Sequence, residues 1–153
     1  MTPEEREALL RRWYDPHHRA LNAMTAQRLS EFGRCLIIDA HSFYPTALPY
    51  ERQDAEKQRP DICIGTYGFH TPRALFESAE VHFTAAGYIV AENTPFAGAL
   101  VPAAYYQRDS RVQSVMIEVN RRLYLDENAE KTAGFEPLHR CIAAWVTKLQ
   151  DEK

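Results

Sequence analysis

Short apolar runs alternate along this chain with segments whose apolar residues recur at helical spacing. That alternation limits the fold more than any single residue does. Arg34 to Ala40, centred on Leu36-Ile37-Ile38, reads as a buried strand. Asp61 to Thr66, with Ile62, Cys63 and Ile64, reads as a second, Tyr88 to Ala91 as a third and Val112 to Val119 as a fourth. Between and around them lie helical segments. Thr2-Pro3-Glu4-Glu5 forms a capping box that opens a helix running to about Tyr14. Asp15-Pro16 restarts a helix with Leu21, Met24, Leu29 and Phe32 on one face, stopped by Gly33. Thr71-Pro72 caps a helix that reaches Ala86 and ends at Gly87. Glu136-Pro137 opens the last helix, with Leu138, Ile142, Trp145, Val146 and Leu149 in one stripe. From Phe43 to Pro60, prolines and a charged stretch mark a loop. Strands interleaved with helices predict an α/β fold with a mixed, partly parallel sheet.

Length and charge narrow the class further. The chain has 153 residues, which predicts a single domain over residues 1–153. Apolar residues make up 45% and charged residues 25%, an ordinary globular balance that argues against disorder. The net charge of -3 gives no basic excess for nucleic acid or an anionic membrane surface. The apolar runs are far shorter than the roughly 20 residues of a membrane span. The acidic start, Met1-Thr2-Pro3-Glu4-Glu5, has no apolar leader core. Cys35, Cys63 and Cys141 are an odd, widely spaced set without a CxxC pair. Cytoplasmic localisation and reduced thiols are therefore expected.

In sheets of this kind, functional groups collect at the carboxyl ends of strands. Three such ends carry polar groups: Asp39-Ala40-His41-Ser42, Glu92-Asn93-Thr94-Pro95-Phe96 and Ile117-Glu118-Val119-Asn120-Arg121. They are expected to cluster. His41 is either a metal ligand or a hydrogen-bonded histidine at a strand end; Asp39, two residues earlier on an extended strand, lies on the side that orients its ring. Glu118 interrupts the apolar run Ser114-Val115-Met116-Ile117-Glu118-Val119. A carboxylate there either faces water or is buried, and burial raises its pKa toward general-base range. Arg121 and Arg122 are placed to pair with it or to hold a substrate carboxylate. Asn93 offers donor and acceptor groups to a substrate, or belongs to an ordinary turn. Of His17, His18, His70, His82 and His139, most read as surface or capping residues. No G-x-S-x-G, P-loop or Rossmann glycine pattern is present.

Five segments in order resemble the N-formylglutamate amidohydrolase family: Tyr14-Asp15-Pro16-His17-His18-Arg19-Ala20-Leu21, Ile37-Ile38-Asp39-Ala40-His41-Ser42-Phe43, Pro60-Asp61-Ile62-Cys63-Ile64-Gly65-Thr66, Asn93-Thr94-Pro95-Phe96-Ala97-Gly98 and Ile117-Glu118-Val119-Asn120-Arg121-Arg122-Leu123-Tyr124. The resemblance implies a three-layer α/β/α sandwich like that of the zinc carboxypeptidases. It implies that His41 is a zinc ligand and Glu118 the general base. Zinc would acidify a bound water and polarise the formyl carbonyl, and Glu118 would pass the water's proton to the leaving amine. The resemblance further implies a small N-formyl or N-acyl amino acid as substrate, with formate and glutamate as the products from N-formylglutamate; Arg121 is a candidate carboxylate clamp and Asn93 a candidate substrate contact.

Two departures from the family pattern are visible. Ala99 stands where a second glycine is usual, and would be strained if that turn needs a positive φ. The family's N-terminal strands, with further zinc ligands and an Asn-Arg segment for the substrate, have no counterpart here. A catalytic zinc site needs three protein ligands, and the matched segments supply His41 alone. Three readings follow: a shortened hydrolase of the N-formylglutamate type, a non-catalytic relative serving as a binding module, and an acylase with another acyl group. Uncovered apolar surface predicts self-association.

Overall fold

The computed structural model describes residues 1–51 and 58–151; the charged middle of the expected loop lies outside them. The first helix, α1 (Pro3–Leu9), opens on the expected capping box: the Glu5 amide donates to the Thr2 hydroxyl at 3.2 Å and the Thr2 amide to the Glu5 carboxylate at 2.7 Å. The expected break and restart at Asp15-Pro16 does not occur. The chain instead passes through one π-helical stretch, Leu10–Tyr14, directly into α2 (Asp15–Phe32), and Tyr14 keeps helical dihedrals. Pro16 has no N–H and its ring crowds the carbonyl one turn back. A widened turn lets the helix pass the proline without stopping. Gly33, at φ +70°, ends α2 as expected.

The four strands form one mixed sheet in the order β1-β4-β2-β3. They are β1 (Cys35–Phe43), β2 (Ile62–Gly65), β3 (Val90–Glu92) and β4 (Val112–Asn120). β1 runs parallel to β4, β2 antiparallel to β4, and β3 parallel to β2. β1 runs three residues beyond its expected end, so His41 and Ser42 lie within the strand rather than after it. Among the described residues, no strand pairs with the outer edge of β1.

Alternation along the strands divides the sheet into two faces. Ile62, Ile64, Val115, Ile117 and Val119 enter the core against Leu75, Phe76, Ala79 and Phe83 of α3 (Arg73–Ala85) and Leu138 and Trp145 of α4 (Phe135–Asp151). The Phe83 and Trp145 rings meet at 5.6 Å and join the two helices. Each Val, Ile, Leu or Phe among them contributes about 1.5–3 kcal/mol on full burial, so this face anchors the fold. α3 starts without a side-chain cap. Thr71, the expected cap, instead donates to the Ser114 carbonyl at 2.6 Å and accepts from the Tyr67 amide at 2.9 Å. The apolar face expected of α2 is only partly covered: Leu21 and Leu29 are half-buried, while Met24 and Phe32 are exposed.

Candidate active site

Strand register assembles the site. His41 of β1 and Cys63 of β2 both lie opposite Glu118 of β4, so the three form one row across the sheet. Their parity is opposite to that of the core residues, so the row belongs to the face away from α3 and α4. The segment after β3 is pinned over that face. The Ser114 hydroxyl donates to the Leu100 carbonyl at 2.7 Å, the Leu100 amide to Asp39 Oδ2 at 3.2 Å, and the Cys63 thiol to the Phe96 carbonyl at 3.1 Å. Gly65 is needed where this segment crosses β2, because a Cβ there would collide with the Gly98 carbonyl and the Met116 side chain.

Glu118 is 8% exposed, and its Oε2 is buried with no hydrogen-bond partner. Burial raises its pKa above the usual carboxylate range. His41 and Arg121 oppose that rise, while Asp39 and Glu51 add to it. His41 Nε2 lies 2.8 Å from Asp39 Oδ1, the orienting contact that their spacing suggests, and the imidazole is half exposed at the sheet edge. A desolvated carboxylate thus stands beside an imidazole held by a second carboxylate, an arrangement able to take and pass on a proton.

The expected cluster of three strand ends is only partly found. β1 and β4 end together, but β2 and β3 run the other way, so the chain leaves β3 at Glu92, level with Ile64 and Ile117 in the middle of β4, and heads away from the ends of β1 and β4. Asn93, at φ +52°, organises its own loop. Its Oδ1 accepts from the Thr66 amide at 2.9 Å and the Gly98 amide at 3.3 Å, and its Nδ2 donates to the Thr66 hydroxyl at 2.7 Å. Gly98 takes φ +92°; Ala99 is not among the residues at positive φ, so it carries no such strain.

The arginines divide. Arg122 donates to Asp61 at 2.6 Å, and Asp61 also accepts from the Ile89 amide at 2.8 Å, so this pair ties β2 to the end of β4. Arg121 donates through Nε to the Ser42 hydroxyl at 3.1 Å, with its guanidinium 4.3 Å from the Tyr44 ring centre. A groove of about 580 Å³ on the helix side has His41, Ser42 and Arg121 in its wall, together with Tyr124, Leu138 and His139.

Arg59 and Glu51, two residues that sequence reasoning missed, belong to the Glu118 side of the sheet. Arg59 donates to the Tyr44 carbonyl at 3.1 Å and to Glu51, and its guanidinium lies 5.7 Å from the Phe43 ring centre and 5.8 Å from that of Phe96. In sequence both look like members of a solvated charged stretch, with no periodicity to mark them. His70 is the other misreading: it is fully buried, not a surface or capping residue. Among the described residues, no group of three His, Cys, Asp or Glu side chains is placed to hold a metal ion. The described residues therefore do not make up a complete zinc site.

Fold and site together define a mixed-sheet α/β domain with a buried carboxylate beside an Asp–His pair on one strand row. The pattern of the N-formylglutamate amidohydrolase family matches residues 1–125, and the chain belongs to that family. It is 32% identical over 128 residues to the N-formylglutamate deformylase of Pseudomonas aeruginosa, covering 82% of this chain and 47% of that one. The crystal structure of N-formylglutamate amidohydrolase from Ralstonia eutropha superimposes with a TM-score of 0.84 at 25% identity, covering 97% of this chain and 54% of the other. A gene product of Agrobacterium tumefaciens shares the fold, with a TM-score of 0.65 at 18% identity over 99% of this chain and 57% of its own. The chain spans about half the length of these relatives. No helix among the described residues is long and apolar enough to cross a membrane.

Proposed function

We propose that this chain carries the general-base part of an amidohydrolase site for N-formyl, or other N-acyl, amino acids. The observation that carries the reading is the buried, unpartnered Oε2 of Glu118 on the same face as the Asp39–His41 pair. Its raised pKa lets Glu118 take a proton from the attacking water and return it to the leaving amine, releasing the carboxylic acid and the amino acid, which are formate and glutamate when the substrate is N-formylglutamate. Arg121 is proposed to bind a substrate carboxylate, and Asn93 to contribute through the loop it organises and any substrate contact it makes. Zinc is proposed as the metal, with His41 as this chain's ligand. Further ligands would lie outside the described residues, and no step is assigned to the ion. A small-molecule substrate and a cytoplasmic setting complete the reading, with no role for nucleic acid or membrane.

The test is formate release from N-formylglutamate. Glu118→Gln should lower the rate by about 10²–10⁴-fold, the usual weight of a general base. An unchanged rate would reject the role. The second reading, a non-catalytic relative that binds acyl amino acids, draws on there being one candidate zinc ligand. It predicts no formate release by the wild-type chain and only weak zinc binding. One tightly held zinc per purified chain would exclude it.

A further inference from the structure

Arg59 is a buried cation that the proton-transfer chemistry does not use. Its side chain is 5% exposed and that of its partner Glu51 is 11% exposed. Burying a guanidinium is costly unless an anion and further acceptors compensate it. Part of that compensation comes from the Glu51 carboxylate, the Tyr44 carbonyl and the faces of Phe43 and Phe96.

The place of this pair matters more than its existence. Phe43 follows His41 by two residues on β1, so both side chains belong to the same face. The Phe96 carbonyl is held by Cys63, which lies opposite Glu118. Glu51 is close enough for its charge to act on Glu118. An arginine fork between two aromatic walls, on the same face as the general base, suits a carboxylate on a short aliphatic stem. Glu51 is itself such a group: a carboxylate on two methylenes.

We propose that Arg59 is the subsite for a carboxylate of the amino acid substrate, and that Glu51 occupies it until substrate displaces it. Phe43 and Phe96 then flank the substrate's methylenes. The inference rests on the reading of this face as a site for acyl amino acids, and it assigns Arg59 a part in specificity. Glu51 acts as an internal competitor that weakens carboxylate binding.

Calorimetry on the purified chain tests this with glutarate as the probe and glutaramide, its uncharged counterpart, as the control. Glutarate should bind saturably and glutaramide should not. Arg59→Met should weaken glutarate about tenfold or more, with Arg59→Lys intermediate. Glu51→Gln should tighten it several-fold, a gain that misfolding does not produce. The proposal is overturned if the wild-type chain binds no glutarate, if both arginine variants bind as wild type does, or if Glu51→Gln weakens binding. Formate release separates the two readings. Arg59-dependent glutarate binding in a chain that releases no formate supports the subsite and removes the hydrolase. Formate release with glutarate binding indifferent to Arg59 removes the subsite alone.

Discussion

Glu118 carries a conflict between stability and function. In the folded chain it binds its proton more tightly than an ordinary carboxylate does, because burial penalises the charge. The sign of the resulting pH dependence follows from linkage. Where the native state binds more protons than the unfolded one, stability falls as pH rises. Glu118 therefore costs nothing below the ordinary carboxylate range. It becomes increasingly destabilising as pH climbs through its raised pKa. Glu118→Gln removes that cost. Melting temperatures across pH should show the variant more stable than wild type at neutral pH, with the two converging at acid pH. Parallel curves would mean the carboxylate is not desolvated. At this scale the sequence was informative where a residue type contradicted its surroundings: a Glu in an apolar strand, and an Asp two places before a His. It was silent where composition looked ordinary. Arg59 and Glu51 sit among other charges, and only tertiary packing buries them. Arg121 and Arg122 are adjacent and chemically identical, yet one meets Ser42 and the other Asp61. Side-chain direction after a strand end decides that, and spacing does not encode it.

At the scale of elements, the four strands and the helices between them could be read from apolar runs and caps, because local signals govern them. Strand direction could not. The reversal of β2 and β3 relative to β4 is a property of pairing, and it points the chain after Glu92 away from the ends of β1 and β4. The uninterrupted helix through Pro16 shows the same limit, since Asp15-Pro16 reads locally as a cap while the π turn that carries the helix past it lies in the preceding residues, Leu10–Tyr14. His70 was misread because its partners are distant in sequence. Its Nδ1 lies 2.7 Å from the Val112 carbonyl, and its Nε2 accepts from the Gln107 amide at 2.9 Å. Those bonds fix a neutral ring with its proton on Nδ1. They tie the turn before α3 to the start of β4 and to the loop that precedes it. His70→Ala leaves the buried Val112 carbonyl unpaired and takes the acceptor from the partly buried Gln107 amide, and should cost about 1–3 kcal/mol in chemical denaturation. A loss below about 0.5 kcal/mol, the range of surface substitutions, would show that water replaces the ring without penalty.

For the whole molecule, the distribution of apolar surface decides how the chain behaves in solution. One sheet face is sealed by α3 and α4, but the long N-terminal helical run is not sealed. Leu9 is 51% exposed, Trp13 63%, Met24 65% and Phe32 62%. Met24 and Phe32 are two helical steps of four apart and share a face, as do Leu9 and Trp13. Arg12 and Arg28 lie over the Trp13 and Phe32 rings and cover them only in part. The outer edge of β1 adds nine residues of backbone without a strand partner among the described residues. Exposed apolar stripes and open strand edges drive association. A second copy of the chain supplies both a matching helix face and a matching edge, and a two-fold arrangement uses each patch twice. Sedimentation velocity over a range of concentrations should therefore show reversible association. Met24→Glu with Phe32→Glu should shift it toward monomer. Both positions are on the surface, so the variant should keep its fold and its circular dichroism. Association that persists in this variant would transfer the contact to the β1 edge. A wild-type chain that stays monomeric at every concentration would reject self-association altogether.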